Sequence, residues 1–203
     1  VHGGMALPAG QLTKDKLPEP LFERLAAVWP VNHPFGILRS QKLWALLIGM
    51  GAINMRLAPG VELVLTARAK VDRRPISFLE TGQEFIASAD RIEDSRYIRL
   101  LELSLDTLSQ NPQRVQDMYA AWISENLHAF ETLLSQSPLA AEPVVRNAVI
   151  EQRTLRWMPT VLELLQSPHR TLLAVGALHL PGPDGLLAHL EQAGHQLHPV
   201  TGP

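Results

Sequence analysis

Three features of the sequence point to an α/β fold, predominantly helical with a small central sheet. Two short apolar runs, 75–79 and 171–178, lie between turn residues and are too short for buried helices, so they read as strands. The longer stretches between them repeat apolar residues at helical spacing. Near the end of the chain, a strand over 171–178, a helix through Leu187 and Leu190, and a strand over 196–200 follow the order of a βαβ unit with a right-handed crossover.

Each element has a local reason. The opening to about Pro20 is rich in Gly, Pro and Lys and is expected to run irregularly over the surface. Pro20 starts a helix through Leu25 and Val28 that stops near Pro30, and 32–36 (Asn-His-Pro-Phe-Gly) has turn chemistry. Ser40 is placed to cap the apolar helix over 43–55; Gly49 and Gly51 weaken it but allow a neighbour to approach closely, and Pro59 with Gly60 ends it. A helix over 62–70 is expected to turn Leu63 and Ala67 inward. Glu80 and Gly82 close the first strand, and Thr81 with Glu84 forms a capping box that starts a helix at once. Asn111 and Pro112 supply an N-cap and first-turn pair for one long helix carrying Val115, Met118, Trp122, Ile123, Phe130 and Leu133. Another helix covers 144–165 with a bend at Pro159. The strand over 171–178 is expected to be covered on both faces. Leu180-Pro181-Gly182 then turns the chain, Asp184 caps, and the last helix ends at Gly194.

With 203 residues, 46% of them apolar, the chain is long enough for a full core and is expected to form a single domain over 1–203. The net charge of −2 leaves no positive excess to neutralise phosphates, which argues against nucleic acid as a partner. The chain has no cysteine, which excludes disulfides, thiolate metal sites and a thiol nucleophile without fixing the compartment. The apolar run over 43–55 is shorter than the roughly 20 residues of a membrane-spanning helix, so no transmembrane segment is expected. The first residues lack a basic stretch followed by an apolar one and so do not read as a signal peptide, and a first residue of Val suggests a processed or truncated beginning.

The chemistry is expected at the carboxyl ends of the strands, where polar loops and helix starts converge in open α/β sheets. Glu80 closes one expected strand and His179 the other. Neutral imidazole with carboxylate is a ligand pair for zinc or manganese, and the same two groups can exchange protons without metal. Against this stands the ordinary use of such residues to satisfy a nearby turn or helix start. His189, His195 and His198 lack the i, i+4 spacing of a helical metal site and are expected at the surface, while His2 and His33 lie in loops. Arg146, Arg153 and Arg156 share a helix with Trp157; one of them can hold a carboxylate or a developing anion, or all can line a solvated face. The sequence contains no nucleophile elbow and no glycine loop for phosphate.

The segment 172–190, LLAVGALHLPGPDGLLAHL, followed by AGHQLHPV over 193–200, resembles the closing part of TraB/GumN proteins, which are related to the Tiki metalloproteases. Leu7-Pro-Ala-Gly-Gln, Gly60-Val-Glu62 and Leu79-Glu80-Thr81 with Gln83 fall in the same order, so the resemblance covers nearly the whole chain. It implies a metal-dependent hydrolase, peptidase-like, using manganese, cobalt or zinc on a peptide or small-molecule substrate. His179 stands in a Gly-x-x-His motif and, with Glu80, is implied as a metal ligand. Glu80, Arg153 and Glu62 are implied as the catalytic groups, with Arg153 binding developing negative charge. A non-catalytic ligand- or peptide-binding protein on the same scaffold is the alternative, and an assembly role through the apolar helix around Trp44 is a third. The resemblance also implies a bacterial protein of the cell envelope or periplasm. Thr154 replaces the usual asparagine after the arginine, unless Arg146-Asn147 is the equivalent pair. The family's first Gly-x-x-His strand has no counterpart here, which implies either a fragment or short form missing its N-terminal strands or an incomplete family site. An open sheet edge left by missing strands is expected to be covered by a partner, a second copy of the chain in a homo-oligomer, or a rearranged N-terminus.

Overall fold

A computed structural model describes residues 2–31, 38–53 and 60–200. The expected turn at 32–36 and the helix end at 59 lie outside those residues. The protein is predominantly helical and divides into two compact units, Val1–Arg114 and Val115–Pro203.

The first unit is built on α3 (Leu43–Ala52) and α6 (Asp94–Gln110), which pack together, with α2 (Glu19–Val28) against α6. Helix α3 is apolar on nearly every face, and Leu43, Trp44, Ala45, Leu46 and Met50 are all buried. Opposite them α6 buries Tyr97, Leu100, Leu101 and Leu105 at i, i+3, i+4 spacing, the pattern of a helix with one face to the core. Gly49 provides the close approach expected of it, because a Cβ there would lie 2.3 Å from the Trp29 ring, whereas Gly51 faces open space. Ser40 does not cap α3. It ends a short 3-10 turn, Leu38–Ser40, and its carbonyl accepts from Leu7 N.

The opening segment is also more ordered than its composition suggests. A helical turn, α1 (His2–Met5), leads into an isolated antiparallel bridge between Ala6 and Gln41. Thr13, fully buried, exchanges hydrogen bonds with the backbone of Gln41 through its hydroxyl, at 2.8 and 2.9 Å. Side-chain and backbone bonds thus anchor a segment that Gly and Pro alone would leave loose. Helix α4 (Val61–Val71) departs in the other direction: it buries none of its residues, and Leu63 and Ala67 are exposed rather than turned inward. The capping box forms as expected. Thr81 Oγ1 accepts from Glu84 N, the Glu84 carboxylate accepts from Thr81 N, and α5 (Gly82–Ala89) starts there. Asp90, just past α5, ties it to the start of α3 by accepting from Lys42 Nζ at 2.6 Å and from Trp44 Nε1 at 2.8 Å, while Trp44 meets Phe85 edge to face.

The second unit begins with α7 (Arg114–Ile123) and α8 (Leu127–Ser135). These replace the single long helix expected from Asn111. The apolar spacing runs through both, but Glu125 takes φ 55 and the Asn126 side chain caps α8 by accepting from Ala129 N, so the chain re-aims within three residues. The stretch expected over 144–165 is helical but not uniform. Helix α9 (Pro143–Arg146) passes into a π-turn, Asn147–Glu151, and then into α10 (Gln152–Gln166), which contains Pro159. Helix α11 (Leu186–Gln192) packs against α10 and ends near Gly194, whose φ of 87 suits glycine. Gly185, not Asp184, is its N-cap.

The sheet is where expectation and structure part. Among the described residues neither 75–79 nor 171–176 nor 196–200 pairs with another strand, so no βαβ unit is formed there. Apolar runs supply strand propensity, but a ladder needs a neighbour, and Phe78 and Leu172 instead stay largely exposed. The segment 171–178 is not covered on both faces: Leu173, Val175, Ala177 and His179 turn inward while Leu172, Ala174, Gly176 and Leu178 face out.

Candidate functional site

His179 closes a 3-10 turn, Ala177–His179, at the end of the extended segment. Its own N–H donates to Gly176 O at 2.9 Å, and the next residues turn away through Gly182, at φ 84. Gly182 N donates to Glu131 Oε1 at 3.2 Å, which ties the Leu-Pro-Gly turn to α8. The chain direction at His179 is therefore set from both sides.

The imidazole is buried, only 5% exposed, and rests among residues of α10. Thr154, fully buried, places Oγ1 2.8 Å from His179 Nδ1. Trp157, one turn further along the same face, stacks on the imidazole with ring centroids 4.4 Å apart at a tilt of 44°. Arg153 lies over the other partner of that stack, with Cζ 5.2 Å from the Trp157 ring, within cation–π range. The π-turn Asn147–Glu151, which packs against the 3-10 turn of His179, is what aims these side chains. Arg153 Nη1 donates to Val149 O at 2.7 Å and Thr154 Oγ1 to Ile150 O at 2.9 Å, so two successive carbonyls of the π-turn are each met by a side chain four residues on. Such wide turns inside helices are enriched at functional sites.

The expected site residues therefore divide. Arg153 and His179 come together in the second unit through Trp157. Glu80 and Glu62 belong to the first unit. Glu80 stands half-buried in a bend immediately before the cap of α5, not at the end of a paired strand. Glu62 is exposed in the first turn of α4, and a Cβ on Gly60 would lie 2.8 Å from its Oε2, so the carboxylate curls back over the helix start, where it complements the helix dipole. Arg146 pairs with Glu151 at 3.1 Å and lies 4.0 Å from Asp184, a structural tie across the π-turn. Arg156 is exposed, as is His198; His189 is half-buried, not at the surface as expected, and its Nε2 has no hydrogen-bond partner among the described residues.

Thr154 is the residue that sequence reasoning undervalued. It stood out only as a departure from an arginine–asparagine pair, although its spacing to Trp157 already placed both on one helix face. Buried Glu142, 2% exposed, gave no sequence signal beyond preceding a proline. In the first unit a shallow cavity of about 190 Å³ is bordered by Lys16, Lys42, Asp90, Asp94 and Tyr97, but its charges already pair as Lys42–Asp90 and Lys16–Asp94.

His179 fits a divalent metal as one imidazole ligand, backed by a polar contact at its other nitrogen. Among the described residues no group of three histidine or carboxylate side chains gathers that would complete a coordination sphere.

Fold and site define a predominantly helical protein with one sequestered imidazole held by a hydroxyl and an indole. The model of the TraB/PrgY/gumN family matches residues 2–199, and the chain belongs to that family. Neither the curated proteins nor the solved structures contain a match to the chain. No helix among the described residues is long and apolar enough to cross a membrane.

Proposed function

We propose that this protein is a metal-dependent hydrolase, peptidase-like, whose working group in the second unit is the His179 imidazole. The observation that carries this is the burial of His179 between Thr154 and Trp157. The hydroxyl on one edge and the indole on its face fix the orientation of the ring, as a metal ligand or proton-transfer group requires. A divalent cation such as manganese, cobalt or zinc, when bound, would polarise the scissile carbonyl. The chain's own residues would do the rest. His179 offers a ring nitrogen as ligand, and Arg153, held against Trp157, offers guanidinium N–H groups to the oxygen on which negative charge develops. Glu80 and Glu62 enter as the carboxylates to be tested by substitution.

The small sheet belongs to this proposal as well. The alternating burial along 171–178 is that of a half-buried strand, and its outward apolar side chains support coverage by a neighbouring strand or a second copy of the chain. Placement in the bacterial cell envelope rests on the family resemblance alone.

A separate observation favours the alternative of a non-catalytic binding protein for peptides or small molecules. The Trp157 Nε1–H is buried and has no acceptor among the described residues, so a carbonyl or carboxylate oxygen of a ligand would satisfy it. The two readings separate in one experiment on the full chain. Metal content after purification and cleavage of a peptide library with added manganese, cobalt or zinc are compared between the native protein and His179→Ala. For a hydrolase, His179→Ala removes both the metal and the cleavage. Metal content and cleavage equal in the two proteins would sink the reading, and peptide binding without cleavage would favour the alternative.

A further inference from the structure

We propose that Thr154 is the positioning residue of this site: it holds His179 in the tautomer that carries its proton on Nδ1, and so places the basic lone pair on Nε2. The functional consequence rests on the reading of His179 as the working imidazole; the tautomer itself does not.

The available hydrogens decide the tautomer. A threonine hydroxyl has one hydrogen to give and two lone pairs to receive. Thr154 Oγ1 lies 2.9 Å from Ile150 O, and a carbonyl only accepts, so the hydroxyl hydrogen goes there. Toward His179 Nδ1, at 2.8 Å, the same oxygen has only a lone pair left to offer. Nδ1 must then bring the hydrogen, and in a neutral imidazole the other nitrogen, Nε2, is left as the base.

The opposite arrangement, with Thr154 donating to Nδ1, takes the hydroxyl hydrogen from Ile150 O. That carbonyl lies in the π-turn, where bonding has already shifted by one residue, as Gln152 N donates to Asn147 O, and where the preceding carbonyl is met by Arg153. Giving up a bond at a fully buried hydroxyl costs on the order of 1 kcal/mol, enough to select one tautomer. Histidines that bind metals or move protons are commonly held this way, with one nitrogen committed to a supporting oxygen and the other left basic. The carbon next to Nε2, Cδ2, borders Gly176, which carries no side chain.

The test is the tautomer read directly. The full chain is prepared with ¹⁵N-labelled histidine, and the His179 ring nitrogens are assigned by long-range ¹H–¹⁵N correlation at a pH where imidazole is neutral. The native protein and Thr154→Ser should show a protonated Nδ1 and a pyridine-like Nε2, while Thr154→Val, of matching shape, should lose that preference. A native spectrum with the hydrogen on Nε2 overturns the proposal even if Thr154→Val fails to fold, and so does a Thr154→Val ring that keeps its hydrogen on Nδ1. Titration with zinc alone adds a second readout. Thr154→Val should bind roughly 10–100-fold more weakly than the native chain, with Thr154→Ser close to native; equal affinities for the native chain and Thr154→Val would remove the positioning role. If the native chain shows the expected tautomer but binds no zinc, the hydrolase reading fails and the assignment of Thr154 stands.

Discussion

A methyl group added at Gly176 would lie 3.6 Å from Cδ2 of His179, in ordinary contact, and would meet nothing else within 4 Å. The backbone there, at φ −59 and ψ 137, accepts any residue. Glycine is therefore not needed for the turn itself, which separates folding from access at this one position. Gly176→Ala should unfold within about 0.5 kcal/mol of the native protein, yet place a methyl group beside the Nε2 edge of the ring, where it obstructs an approaching ion and weakens zinc binding. Thermal unfolding and zinc titration on the same sample decide it. A variant as stable as native that binds zinc equally well would show that the ring is approached from elsewhere. The Gly-x-x-His spacing was readable in the sequence as a motif, whereas the way its glycine borders the imidazole depends on a 3-10 turn that no periodicity announces.

At the scale of elements, local signals succeeded where the deciding interactions lie within one turn of chain. The capping box at Thr81 and Glu84 needs only neighbouring residues, and it forms with both reciprocal bonds. Removing the hydroxyl in Thr81→Ala should cost about 1 kcal/mol, seen as a lower denaturant midpoint with an unchanged slope; no loss would mean that α5 is held by tertiary contacts alone. The other helices show the limit of this reasoning. The apolar rhythm from Val115 to Leu133 is continuous, but the chain breaks at Glu125 in a left-handed conformation that spacing does not encode. The rhythm from Val144 to Leu165 predicted a helix correctly but did not reveal the π-turn at 147–151, which is set by backbone bonding and not by side-chain spacing. That concealed turn is what gives Arg153 and Thr154 their carbonyl partners.

For the molecule as a whole, stability at high pH is tied to Tyr97. Its ring is buried on α6 and its hydroxyl donates to Ala89 O at 2.8 Å. Burial first, and the nearby Asp90 and Asp94 carboxylates next, push the phenol well above its ordinary range. Because the folded chain holds this proton more tightly than the unfolded chain, its contribution is complete below the unfolded value near 10 and is lost as pH rises beyond it. Denaturation followed from pH 8 to 11 should show stability falling above about pH 10, and Tyr97→Phe should flatten that fall; an equal fall in both would assign it to other groups. The sequence by itself determined the helical majority, the buried character of α3, the close approach at Gly49, the cap of α5, and His179 and Arg153 as candidates, since each depends on composition or on residues a few positions apart. Only the tertiary structure decided that 75–79 and 171–176 stay unpaired among the described residues, that α4 buries nothing, and that Thr154 and Trp157 enclose His179. The physical reason is the same in each case: a strand needs a ladder, a helix face needs a neighbour, and an imidazole needs partners that are supplied from distant parts of the chain.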